Sequence, residues 1–134
     1  MRVSAKVDYA LRALLELAAA PPGPVKGERL STAQEIPPKF LENILTELRR
    51  AEIVASQRGV DGGYRLAKPA DAISVADVMR ALEGPIASVR GVRPEDLEYT
   101  GNARALRSLW LELRASTRDV LEGTTLADLV ERGA

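Results

Sequence analysis

A chain of 134 residues, 46% of them hydrophobic and 28% charged, holds enough apolar material for one compact core, and its 19 basic and 19 acidic groups balance. It has neither cysteine nor histidine, which excludes disulfides, the usual zinc sites, thiolate-held iron–sulphur clusters and imidazole catalysis. Charge is unevenly spread: residues 1–68 carry eleven basic against eight acidic side chains, and residues 69–134 reverse that ratio.

In chain order, Ser4 is placed to cap a first helix whose apolar positions Val7, Ala10, Leu11, Leu14, Leu15 and Ala18 recur at helical spacing. Pro21-Pro22-Gly23-Pro24 ends it, because proline can neither donate to the helix nor fit its interior. A shorter helix is expected from about Lys26 to Gln34, packing through Leu30 and Ala33. Ile36-Pro37-Pro38 then makes a corner, with Pro38 acceptable at the first position of the next helix. That third helix has the clearest apolar face, formed by Phe40, Leu41, Ile44, Leu45 and Leu48.

Two short strands, Ile53–Gln57 and Tyr64–Ala67, flank Arg58-Gly59-Val60-Asp61-Gly62-Gly63. Three glycines within five residues permit a tight reversal, and Arg58 and Arg65 bracket it. Ser74 with Asp77 forms a capping box for a fourth helix that stops at Gly84-Pro85. Residues 86–101 lack periodicity and read as a loop or linker. Asn102 is placed to cap a long helix in which Leu106, Leu109, Trp110, Leu113, Thr117, Val120 and Leu121 recur near a heptad spacing. Gly123 ends it, and Thr125 with Asp128 opens a last short helix.

Helix, corner, helix and basic hairpin in that order predict a mainly α fold with a small β-hairpin wing: a winged helix-turn-helix followed by a long C-terminal dimerisation helix. The expected division is a DNA-binding head over 1–85, a loop over 86–101, and a dimerisation helix with a terminal helix over 102–134. Within the head, Lys39, Asn43 and Thr46 lie three to four residues apart on the free face of the third helix. There Lys39 suits guanine or phosphate, and Asn43 suits adenine. Ser56, Gln57, Arg58 and Arg65, with the backbone N–H groups of Gly59, Gly62 and Gly63, suit phosphates or the adjacent narrower groove. Asp61 is unfavourable beside a phosphate and is expected to shape the turn, while Tyr64 is expected to anchor the hairpin.

These residues carry a resemblance. Ser4 to Leu14, Ile36 to Leu45, Arg58 to Leu66 and Ala81 to Gly84 resemble the first helix, recognition helix, wing and following helix end of the IscR/NsrR/CymR-type family of bacterial winged helix-turn-helix transcriptional regulators. The resemblance implies a homodimer on a palindromic double-stranded DNA operator, and the heptad-like seam from Leu106 to Leu121 independently suits pairing of two copies. No apolar run is long enough to span a bilayer and the N-terminal stretch is charged, so a cytoplasmic location is expected, and without histidine and cysteine no enzymatic activity is expected. The chain departs from the pattern at the loop 86–101, where the best-known members place three cluster cysteines and this sequence has none. Asp8 stands where one nitric-oxide-sensing member resembles this chain and uses a carboxylate ligand; without thiolates it is expected to be a surface or interface charge. Glu35 replaces a small residue common before the recognition helix. The expectation is therefore a repressor without a cofactor, controlled by a small molecule near Tyr9, Trp110 and the loop, or by a protein partner. The competing reading is a winged-helix module that binds protein instead of DNA.

Overall fold

The computed structural model describes residues 2–134. Six helices and one hairpin follow in the expected order: α1 (Ala5–Ala19), α2 (Gly27–Gln34), α3 (Pro38–Arg50), β1 (Val54–Gln57), β2 (Gly63–Leu66), α4 (Val75–Glu83), α5 (Ala105–Glu122) and α6 (Leu126–Gly133). The helix starts obey local chemistry. Ser4 accepts from the Val7 N–H, Pro38 occupies the first position of α3, and both capping boxes form with all four hydrogen bonds. α2 and α5 start without a side-chain cap, and at α5 the expected cap Asn102 lies instead within a 3₁₀ turn over Gly101–Ala103.

α1 is the central strut. Val7, Ala10, Ala13, Leu14 and Leu17 bury one face, and α2, α3, α4 and α6 all pack on it. In α3, Leu41, Ile44, Leu45 and Leu48 are buried as expected, but Phe40 is 41% exposed. It instead meets the Tyr9 ring edge-on, with centroids 5.5 Å apart. In α2 the buried pair is Leu30 and Ser31, whereas Ala33 is exposed. Ser31 is turned inward because its hydroxyl donates to the Ile36 carbonyl, which satisfies a buried polar group at the corner.

The two strands pair antiparallel with Ala55 opposite Arg65 and Gln57 opposite Gly63. A third segment joins them: Val25 and Tyr64 exchange backbone N–H···O bonds of 2.8 and 2.7 Å. Nothing in the sequence pattern separates Val25 from the proline loop before it.

The C-terminal part is less separate from the head than its position in the chain implies. Leu126 of α6 is fully buried in the same core cluster as Leu14 and Val78. Backbone bonds from Val75 to Thr124 and from Leu126 to Ile73 stitch the start of α6 to the start of α4. Residues 86–104, between α4 and α5, form a tied loop. Val89 and Val92 exchange two backbone bonds around Arg90-Gly91, both with positive φ, the signature of a type I′ turn. Further along, Trp110 Nε1 donates to Tyr99 Oη at 3.0 Å, Arg107 donates to the Glu95 carbonyl, and Arg114 pairs with the Glu95 carboxylate. A backbone hydrogen bond at Glu95 itself, followed by Arg114, holds that carboxyl below its ordinary range.

Candidate nucleic-acid interface

The corner between α2 and α3 is set by three contacts. Glu35 closes α2 in the left-handed region at φ 52° and ψ 46°, where glycine is the usual occupant. The Ile36 N–H returns to the Ser31 carbonyl at 3.0 Å. Arg12 Nη1 reaches across from α1 to the Gln34 carbonyl at 3.0 Å, with its guanidinium 4.6 Å over the Tyr9 ring. Asp8 lies 3.2 Å from Arg12 Nε, although that nitrogen makes no aligned hydrogen bond, so the contact is electrostatic. Lys6 pairs with Glu47 of α3 at 2.8 Å. The orientation of α3 is thus held from α1 at both its ends.

With its apolar face buried, α3 turns Lys39 and Asn43 to solvent. Thr46 is half-buried, and its hydroxyl donates to the Glu42 carbonyl at 3.0 Å, so its one proton is already committed within the helix. Lys39 and Gln57 lie in one groove of about 630 Å³ between the starts of α2 and α3 and the hairpin, together with Lys26, Glu28, Glu42 and Tyr64. Asn43, Thr46, Ser56, Arg58 and Arg65 lie outside that groove. Ser56, Arg58, Gly59 and Arg65 are exposed on the wing. Among the described residues, Lys26, Lys39, Arg58 and Arg65 enter no ion pair, so their charges remain available.

The wing is built with little slack. A Cβ on Gly62 would sit 2.1 Å from the Gln57 carbonyl oxygen, and one on Gly63, at φ 148°, would sit 2.5 Å from the Val25 carbonyl oxygen. The Gly62 N–H bonds back to the Gly59 carbonyl at 3.0 Å. Lys26 Nζ donates to that same carbonyl at 2.9 Å. Neither Val25 nor Lys26 was marked by sequence reasoning. Their partners lie more than thirty residues away, and no local pattern encodes such a contact.

α5 presents no buried residue, yet its expected seam divides in two. Trp110, Thr117 and Leu121 are half-buried: Trp110 bonds to Tyr99, and Leu121 packs on the core. Leu106, Leu109, Leu113 and Val120 point outward, at 37%, 49%, 55% and 67% exposure. The aromatic residues divide likewise, with Tyr9 beside Phe40 at the head and Trp110 beside Tyr99 at the loop. A cavity of about 370 Å³ lies against Trp110, Ile86 and Pro94, and Tyr9 does not line it.

A helix-turn-helix whose second helix shares a groove with a braced basic wing defines a winged-helix DNA-binding regulator. The comparisons agree and narrow the class. The model of the Rrf2 family, described as iron-dependent transcriptional regulators, matches residues 3–132, and the chain belongs to that family. A Mycobacterium tuberculosis protein, Rv1287, named among HTH-type transcriptional regulators, is 54% identical over 130 residues, covering 96% of this chain and 81% of that one. The structure of CymR, the global cysteine regulator of Bacillus subtilis, superposes with a TM-score of 0.84 at 34% identity, covering 98% of each chain. T. potens IscR superposes at 0.81 with 31% identity, covering 100% of this chain and 89% of that one. The family and these relatives are transcriptional regulators and not enzymes. No described helix is long and apolar enough to cross a membrane.

The family's description implies iron, and the donor set here does not fit it. Cysteine and histidine are absent, and no three carboxylates gather among the described residues. Asp8 is paired with Arg12, and the loop 86–101 is held instead by Glu95, Tyr99 and their partners on α5.

Proposed function

We propose that the protein is a cytoplasmic, homodimeric repressor that occupies a palindromic operator without an iron–sulphur cluster. Residues 1–85 form the DNA-binding head, 86–101 the connecting loop, and 102–134 the dimerisation helix with its terminal helix. The observation that carries the reading is the placement of Lys26 and Lys39 in the α3 groove and of Arg58 and Arg65 on the wing beside it, none of them in an ion pair. Lys39 and Asn43 meet base edges, Thr46 accepts at the rim, and Ser56, Gln57, Arg58, Arg65 and the N–H groups of Gly59, Gly62 and Gly63 meet phosphates. The outward stripe of α5 supports pairing with a second copy, which would present two α3 helices to successive turns of one DNA face. Control falls to a small molecule or a protein partner, and the catalytic repertoire left without histidine and cysteine supports no enzyme.

The test is footprinting and gel shift on DNA from upstream of the gene itself. The expected result is a symmetric footprint whose affinity drops steeply with salt. Arg58→Ala and Arg65→Ala should weaken all sequences alike, while Lys39→Ala and Asn43→Ala should relax preference at particular positions. A protein that shifts no fragment at low salt would sink the reading in favour of a protein-binding module.

A further inference from the structure

Among the described residues, Val60 is the most exposed large apolar side chain, at 91%. Most of the others belong to the outward stripe of α5 or to Phe40, which already packs on Tyr9. Val60 stands alone at the end of the wing, where every residue from Gln57 to Asp61 is exposed. Isolated surface valines are common, so exposure by itself decides nothing. What singles this one out is that its support is rigid. The Gly59 carbonyl is held from both sides, by the Gly62 N–H at 3.0 Å and by Lys26 Nζ at 2.9 Å. The root of the hairpin is locked by the double Val25–Tyr64 bridge, and Gly62 and Gly63 leave no room for a Cβ.

The side chain suits a contact that is apolar and narrow. Valine is stiff at χ1 and has almost no rotamer entropy to lose on burial. Arg58 and Arg65 against Asp61 leave the hairpin net positive, so the tip is drawn to the phosphate-lined edge of a duplex while Val60 offers it two exposed methyl groups. A minor groove offers that combination: negative potential between phosphate walls, and apolar sugar faces and base edges within. A·T pairs narrow the groove and leave its floor clear, whereas G·C pairs put the guanine N2 amino group on it.

We propose that Val60 is an apolar reader of the minor groove, packing on the sugar walls beside Arg58 and favouring A·T pairs at the outer ends of the operator. This rests on the DNA-binding reading above and adds to it a specificity residue that carries no charge. The test uses the full-length protein and its footprinted operator, with Val60→Ser and Val60→Ile. Losing one methyl and turning the other into a hydroxyl strips apolar area from a buried contact and should weaken binding about ten-fold. The slope of affinity against salt should stay unchanged, because no phosphate contact is lost, whereas Arg58→Ala should lower it by about one. Val60→Ile should keep wild-type affinity. Replacing outer A·T pairs by G·C should weaken the wild type, replacement by I·C, which lacks the N2 amino group, should restore it, and Val60→Ser should respond less to either change. Equal affinity and equal flank preference in Val60→Ser, with operator binding by the wild type intact, would overturn the role of Val60 alone. Absence of operator binding by the wild type would overturn both.

Discussion

Lys26 Nζ donates to the Gly59 carbonyl oxygen at 2.9 Å, tying the residue that precedes α2 to the turn of the wing. The contact makes the wing and the helix-turn-helix one body, so that the groove containing Lys39 and Gln57 has a defined width. Replacing Lys26 by methionine keeps the stem and removes the donor. Wing amides should then exchange faster with solvent, and operator affinity should fall more than one lost phosphate contact explains. Global stability should change by less than about 0.5 kcal/mol, since the site is exposed. Hydrogen exchange and gel shift on the variant check both parts.

Gly62 has no room for a side chain, with the Gln57 carbonyl oxygen 2.1 Å from where its Cβ would stand. Gly62→Ala should open the turn, cost about 1–3 kcal/mol and abolish wing contacts. Denaturant unfolding gives the first quantity, and footprinting should show the outer edges of the protected region lost while the centre survives.

Glu35 pays for the corner with a left-handed backbone, φ 52°. Such a conformation costs a non-glycine residue about 1–2 kcal/mol, and glycine at the same place gives back part of that through its freer unfolded chain. Glu35→Gly should therefore stabilise the protein by about 0.5–1 kcal/mol with DNA affinity unchanged. A fall in stability would mean that the Glu35 side chain contributes contacts beyond the strain it carries.

The start of α6 is sensitive to acid. The Thr125 backbone N–H, followed by its hydroxyl, holds the Asp128 carboxyl below its ordinary 3.8. A lowered carboxyl contributes stability that is fully present above its unfolded value and is lost as pH falls through the folded one. Asp128→Asn should thus be less stable than the wild type near neutrality, with the gap closing below about pH 4. Thr125→Ala removes the cap itself and should cost about 1 kcal/mol at neutral pH. Thermal unfolding of the three proteins across that range checks the sign.

Two leucine-rich faces of the C-terminal region should behave oppositely. Leu113→Glu, on the outward stripe, should yield a folded monomer by sedimentation and weaken operator binding by at least ten-fold, with the helical spectrum unchanged. Leu126→Ala, at 0% exposure in the shared core, should cost about 2–5 kcal/mol. A monomeric wild type would remove the basis for the first expectation.

Much of the fold was legible because its signals are short-ranged. Ser4, the Ser74–Asp77 and Thr125–Asp128 pairs, Pro38 and the glycines of the turn each act within about three residues of themselves, and each stands where the sequence placed it. Amphipathic spacing likewise identified Leu41, Ile44, Leu45 and Leu48 as the core face of α3, which by elimination left Lys39 and Asn43 outside. Phe40 and Ala33 were misplaced because periodicity gives only a direction around a helix and says nothing of what waits there: for Phe40 it was the edge of Tyr9.

What only the tertiary structure decided depends on residues distant in the chain. Val25 became a bridge to the hairpin and Lys26 a brace because α1 brings the segment before α2 against it. α6 returned to the head because Leu126 finds its apolar surroundings on α1 and beside Ile73. The apolar repeat of α5 divided into an inner and an outer stripe only once Tyr99 and the core claimed Trp110 and Leu121. Local hydrogen bonding and helical period are written into neighbouring residues. The partner of a side chain more than thirty positions away is chosen by packing, and the linear pattern does not contain it.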